Sequence, residues 1–229
     1  MKYQVIATCF YPIALASTQL MNKMLQQGLL ERTERAFTGQ VLATIDNING
    51  YGCWCNFDTN YHQGKAHPID EIDEVCKILV QGYECAIKDA EDVGASCSPW
   101  EENYEPVTSF TLDTSITQEC SQNNPGANDC LLRSCYVESH FVRNLLNVFL
   151  GGYPINPENK HSNGFSVGEK CLITKRGGGK GENQCCGGYP ERFPFKTNEG
   201  ERSCCGSKVY NSIVSQCCDP EHSEVGLFC

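Results

Sequence analysis

After its first sixteen residues, the 229-residue chain has no apolar run approaching the ~20 residues that a helical membrane span requires, so a transmembrane protein is not expected. Basic charge is also scarce. Eighteen Lys and Arg stand against 28 Asp and Glu, the formal net charge is -10, and no basic cluster exceeds Lys175-Arg176. Nucleic acid is excluded as a partner, because a phosphate backbone is bound through clustered cations, and adsorption to anionic membrane should be weak or repelled. Calcium association or an acidic matrix role fits the charge, and so does plain solubility. A phosphate-binding loop is missing too, since Gly177-Gly178-Gly179 lacks the Lys-Ser/Thr ending and reads as a flexible segment.

What the chain does have is cysteine, 17 in all. Residues 1–16 read as a signal peptide: Lys2 supplies the positive start, residues 5–13 the apolar stretch, and Ala14-Leu15-Ala16 the small-x-small cleavage signal. A short buried N-terminal strand or helix is the alternative. Cleavage after Ala16 would remove Cys9 and leave sixteen cysteines, the even number a fully paired framework needs. A secreted, extracellular protein is therefore expected, whereas the same double cysteines in a cytosolic chain would have suggested zinc.

Apolar residues from Leu20 through Met24, Leu29, Phe37, Val41, Ile45 and Ile48 recur mostly at three-, four- or seven-residue intervals, which predicts one or two amphipathic helices that Gly28 and Gly39 can interrupt. Asn49-Gly50 is a turn. Pro68 can occupy a first helical turn, Asp70, Glu71, Asp73 and Glu74 suit a helix N-terminus, and Ile72, Cys76, Leu79, Tyr83 and Ile87 share one face. A helix is predicted up to Asp92. Residues 95–117 read as a loop with a small hairpin, on the alternation Val107, Ser109, Thr111. A second long helix is predicted over 130–150, with Asp129 as its cap and a wide apolar side. Gly151-Gly152 ends it, and a Pro, Gly and Asn-rich linker follows at 156–168.

Beyond the linker stand Cys171, the double units Cys185-Cys186, Cys204-Cys205 and Cys217-Cys218, and Cys229. Two units continue alike, to Tyr189 and Tyr210, which suggests an internal repeat. With so few aliphatic residues, roughly 60 residues of this kind need disulfides to hold short hairpins together.

The order Tyr51-Gly-Cys-Trp-Cys55, polar loop, Pro68-x-Asp70-x-x-Asp73, cysteine resembles secreted phospholipase A2, whose calcium loop and catalytic helix follow that pattern. The resemblance covers 51–85 and 120–149. It implies a mainly α, disulfide-rich domain over 17–155, with an antiparallel helix pair and a small β-wing, ahead of a cysteine-rich module at 169–229. It implies the pairings Cys55–Cys76 and Cys120–Cys135, extends to Cys97–Cys130 and Cys53–Cys171, and leaves Cys85 unplaced. Val75 with the neighbourhood of Asn144, and Gly82 with Val137, fall where the family has two further cystines. Glu138 falls at the family's buried aspartate beside the catalytic site. The tail is loosely similar to the double-cysteine repeats of galaxin-type matrix proteins.

The chemistry of that family requires an imidazole to deprotonate water and an adjacent aspartate to hold calcium. The register places this pair at Leu79-Val80, or with a one-residue slip at Val80-Gln81, and neither contains a histidine or a carboxylate. The calcium loop is altered as well. Trp54, Asn56, Asp58 and Gly64 occupy it, Asn56 replaces the family's first loop glycine, and the loop is several residues longer. His140 is not a substitute base for Glu138 to orient, because residues two apart on a helix point in different directions. His62, His67 and Asp58 have the residue types for a loop metal site, against the commoner reading of solvent-exposed side chains. The expectation is a secreted, catalytically inactive relative that binds extracellular protein or matrix and needs no cofactor. The alternatives are an active calcium-dependent phospholipase A2 and a non-hydrolytic lipid carrier.

Overall fold

The computed structural model describes residues 14–32, 45–57, 64–110, 115–172 and 180–229, with side chains from Ser17 onward. Most of the proposed signal peptide, Phe37, Gly39, Val41, Asp58, His62 and the triple glycine at 177–179 lie outside the described residues. Six α-helices are described: α1 (Ala14–Arg32), α2 (Ile45–Ile48), α3 (Glu71–Glu91), α4 (Ile116–Asn123), α5 (Asp129–Leu150) and α6 (Val167–Lys170). Three two-stranded antiparallel hairpins follow: β1 (Asn183–Cys186) with β2 (Phe193–Lys196), β3 (Arg202–Cys205) with β4 (Lys208–Asn211), and β5 (Gln216–Asp219) with β6 (Glu224–Gly226).

The centre is the pair α3 and α5. In α3 the Asp70 carboxylate accepts from the Asp73 amide, the acidic first turn complements the helix dipole, and the face carrying Ile72, Val75, Cys76, Leu79 and Tyr83 is buried. The predicted helix starts three residues later than Pro68, because Asp70 caps it. In α5 the cap is Asn128, whose side chain accepts from the Leu131 amide, and not Asp129, which lies inside the first turn and pairs with Arg133. Tyr83 meets Glu138 midway, while Tyr189 joins Asp89 near the end of α3 to Arg133 and Tyr136 near the start of α5, so the two helices run antiparallel. They approach closely at Gly82, where a Cβ would come within 2.7 Å of Val137 Cγ1.

α1 lies against α5 and continues unbroken through Gly28, where the missing side chain makes room for Leu146. Met21, Met24 and Leu25 of α1 join Ile45, Ile48, Phe57, Phe141, Val142, Leu145 and Leu146 in one apolar core.

The hairpin expected in 95–117 is absent among the described residues of that stretch. A 3₁₀ turn at Pro99–Glu101 leads instead into extended chain that buries Tyr104, Val107 and Phe110. Side chains supply the hydrogen bonds a second strand would have made. Asn124 bonds both the amide and the carbonyl of Glu105, Asn123 donates to the Pro106 carbonyl, Gln27 donates to the Thr108 carbonyl, and Glu119 accepts from the Thr108 amide.

The segment 156–168 is ordered where a linker was expected. It forms 3₁₀ turns at Pro157–Asn159 and His161–Asn163 and leads into α6. Its backbone lies along the 50–52 turn, with the Gly52 amide donating to Asn159 and the His161 amide to Gly50. Asparagine, proline and glycine serve capping turns as readily as open linkers.

Sixteen cysteines form eight disulfides: Cys53–Cys171, Cys55–Cys76, Cys85–Cys185, Cys97–Cys130, Cys120–Cys135, Cys186–Cys204, Cys205–Cys217 and Cys218–Cys229. In the hairpins the second cysteine of each of the first two double units is joined to the first of the next, and that of the third to Cys229. Cys85 on α3 begins this series by taking Cys185, and β1 and β2 pack against the same helix. Asp89 of α3 accepts from Arg192 through both carboxylate oxygens and from the Tyr189 hydroxyl, which orients the first hairpin.

Candidate functional site

Two carboxylates, both buried, organise the residues singled out by sequence. The first is Asp73. It accepts from the amides of Cys53 and Trp54 at 2.8–3.0 Å and from the amide of Ile69 at 3.1 Å. Gly52 has φ +61°, and a Cβ there would lie 2.5 Å from the Asp73 carboxyl carbon, so only glycine lets the loop wrap this group. Burial pushes the Asp73 pKa up, against the pull of the three amides. The 51–55 turn is further held by Cys53–Cys171 and Cys55–Cys76, by His161 Nε2 donating to the Gly52 carbonyl at 2.8 Å, and by Tyr51. The Tyr51 hydroxyl donates to Asp70, and burial with that carboxylate pushes its pKa up to about 12.

Among the described residues of the calcium-loop stretch, Trp54, Asn56 and Gly64 are engaged with one another and with their neighbours. The Trp54 carbonyl already accepts from the Asn56 amide at 2.9 Å in a tight turn. The Trp54 ring covers Gly64, where a Cβ would meet it at 1.9 Å, and its indole nitrogen donates to the Ala66 carbonyl. A hard cation needs several converging oxygens, and the Trp54 and Ala66 carbonyls are each already accepting a hydrogen bond. Asp58 and His62 lie outside the described residues, and His67 is exposed. Among the described residues, no group of three or more His, Cys, Asp or Glu is arranged to hold a metal.

The second carboxylate is Glu138 on α5, fully buried. Its Oε1 accepts from the Tyr83 hydroxyl at 2.6 Å and from the Ser17 hydroxyl at 2.9 Å, and its Oε2 accepts from the Tyr104 hydroxyl at 2.7 Å. Burial pushes the pKa of Glu138 up to about 7, while the three hydroxyls pull it down, and the same burial raises Tyr104 well above its ordinary value. The cluster ties α1, α3, α5 and the 102–110 stretch together at one point.

Leu79 and Val80, the first of the two registers for a catalytic pair, are fully buried in the apolar core, and Gln81 is half-buried. None of the three can relay a proton. His140 is buried on α5, yet its ring lies 3.3 Å from Glu191 of the first hairpin and beside Asn144, away from Glu138. Burial lowers its pKa and outweighs the opposing pull of Glu191, while Arg143 adds to the lowering. Around Glu138 the described groups form a closed hydrogen-bonded junction that fixes the geometry of the helix pair.

Sequence reasoning reached Glu138 and Asp73 and missed Ser17, Tyr104 and His161. Tyr104 is in a stretch read as loop, and only its aromatic character in a polar neighbourhood hinted that it was buried. His161 stood in the supposed linker. No family model matches this chain, and no curated protein matches it significantly.

Proposed function

We propose that this chain is a secreted, catalytically silent relative of the phospholipase A2 scaffold that serves as a binding or structural component of an extracellular matrix or secretion. One observation supports the reading. Leu79 and Val80, the residues that the sequence resemblance aligns with an imidazole and a metal-binding carboxylate, are apolar and buried in the core of a helix pair whose acidic junction at Glu138 is satisfied by three hydroxyls. Such a core keeps the scaffold rigid and leaves the surfaces, chiefly the cystine-linked hairpins, to make contacts.

Support also comes from the loop at 51–57, whose amides are spent on Asp73 and whose Trp54 carbonyl is used internally. Calcium therefore has no role in this proposal. The test is release of fatty acid from phospholipid vesicles by the purified secreted protein, with and without a calcium chelator. Release indistinguishable from blank in both conditions is expected. A rate above blank that chelation abolishes would overturn the proposal and favour an active hydrolase. Native mass spectrometry that found a bound lipid would favour a carrier instead.

A further inference from the structure

The last two hairpins carry an apolar edge that no described part of the chain covers. Ile213 and Val214, in the turn between β4 and β5, are 67% and 57% exposed, and Leu227 and Phe228, after β6, are 68% and 91% exposed. The ladder brings both segments to one end of the third hairpin. Gln216 pairs with Gly226, so the chain just before β5 and the chain just after β6 leave the same end of that hairpin. Residues 209–218 and 225–229 contain no charged side chain. The charges of the third hairpin, Asp219, Glu221 and Glu224, are at its opposite end, where Asp219 pairs with Glu224. The nearest charges on the apolar side, Glu201 and Arg202, are exposed and of opposite sign, and each has a local partner: Glu201 accepts from Asn198, and Arg202 lies over the Phe195 ring.

We propose that this edge docks on a neutral, zwitterionic lipid surface, with Ile213, Val214, Leu227 and Phe228 inserted at the depth of the headgroups. Two arguments select that occupant over a second copy of the chain. Four side chains offer on the order of several hundred Å² at most, short of the roughly 800 Å² per partner that a stable dimer buries. A net charge of -10 repels a second copy and an anionic bilayer alike, whereas an edge whose two segments carry no charged side chain meets a zwitterionic headgroup layer at little electrostatic cost. The disulfides Cys205–Cys217 and Cys218–Cys229 hold both segments, so little flexibility is lost on insertion. The inference does not depend on how the helix pair is read, since it needs neither hydrolysis nor calcium.

The test is flotation of the full-length secreted protein with phosphatidylcholine vesicles in the presence of a calcium chelator. The wild-type protein should partition with the vesicles, and less so when phosphatidylserine is added. Ile213→Asp with Phe228→Asp should lower the bound fraction at least tenfold, while Glu221→Ser, at the other end of the hairpin, should leave it unchanged. Circular dichroism and the mass of the non-reduced protein establish that the variants keep fold and disulfides. Absence of binding by the wild type, or binding insensitive to the double substitution, overturns the proposal. So does a concentration-dependent dimer in sedimentation that the double substitution abolishes, because the edge would then join two copies.

Discussion

The helical region and the hairpin region share one chain and one oxidised chemistry, yet they are held by different forces. Between residues 17 and 172 an extended apolar core is buried together with two satisfied carboxylates, and four disulfides lie within or beside it. From residue 180 onward only Cys186, Phe195, Thr197 and Cys205 are buried. Burial of large side chains is worth roughly 1.5–3 kcal/mol each, so the helices have an ample reserve and the hairpins almost none. Cross-linking substitutes where volume for a core is lacking.

The contrast can be broken first in the helices. Phe141, buried edge-on against Phe57 with ring centroids 5.9 Å apart, should cost about 3–5 kcal/mol when replaced by alanine. Thermal unfolding should register the loss as a lower Tm, and an unchanged Tm would mean that cystines hold the helices as well. Replacing Cys186 and Cys204 with alanine should cost about 2–4 kcal/mol, but locally. Limited proteolysis followed by mass analysis should then find cleavage in 187–203 while the helical region resists. Cleavage spread through both regions would show that the hairpins brace the helices.

A subtler comparison is between stability at low and at neutral pH. Glu138 has a folded pKa raised to about 7, so its contribution is fully present below the ordinary carboxylate pKa and is lost as pH rises through about 7. Because a tenfold change in proton affinity corresponds to about 1.4 kcal/mol, denaturant titrations should find up to a few kcal/mol lost between pH 5 and pH 8. Glu138→Gln should flatten that dependence. The smallest effect is expected where the two regions meet. Arg192→Ala removes the paired contact with Asp89, a partly buried ion pair, and should cost on the order of 1 kcal/mol. Hydrogen exchange should quicken around 187–193 and leave the Glu138 cluster unaltered.

The central helices were legible because their signals are local: a capping aspartate, acidic first turns, and apolar residues three and four apart. Glu138 was legible through the register between two stretches. Other features depend on partners remote in sequence. Cys85 could not be assigned, since its partner lies in the other region, 100 residues on. The alternation at Val107 and Ser109 promised a hairpin, but Asn123, Asn124 and Glu119 supply the backbone's partners from α4 and its C-terminal end. The Asn and Pro of 156–168 read the same whether they make open chain or docking turns. The three hairpins were readable as a repeat because the double cysteines recur, while the direction of their linkage is a property of the folded chain alone.

That linkage has a bearing on how the protein is made. The three hairpin disulfides close segments of 18, 12 and 11 residues in sequence order, none enclosing another, whereas Cys53–Cys171 spans 118. By chain statistics, bringing the ends of the longest segment together is disfavoured by about 2 kcal/mol relative to the shortest. Each of these bridges can thus form as soon as its second cysteine emerges, linking the hairpins in chain order. Cys53 and Cys85 must instead wait for partners synthesised much later. The stage most exposed to mispairing during biogenesis is therefore the joining of the hairpins to the helices, and an oxidative isomerase would have most to correct at Cys53 and Cys85.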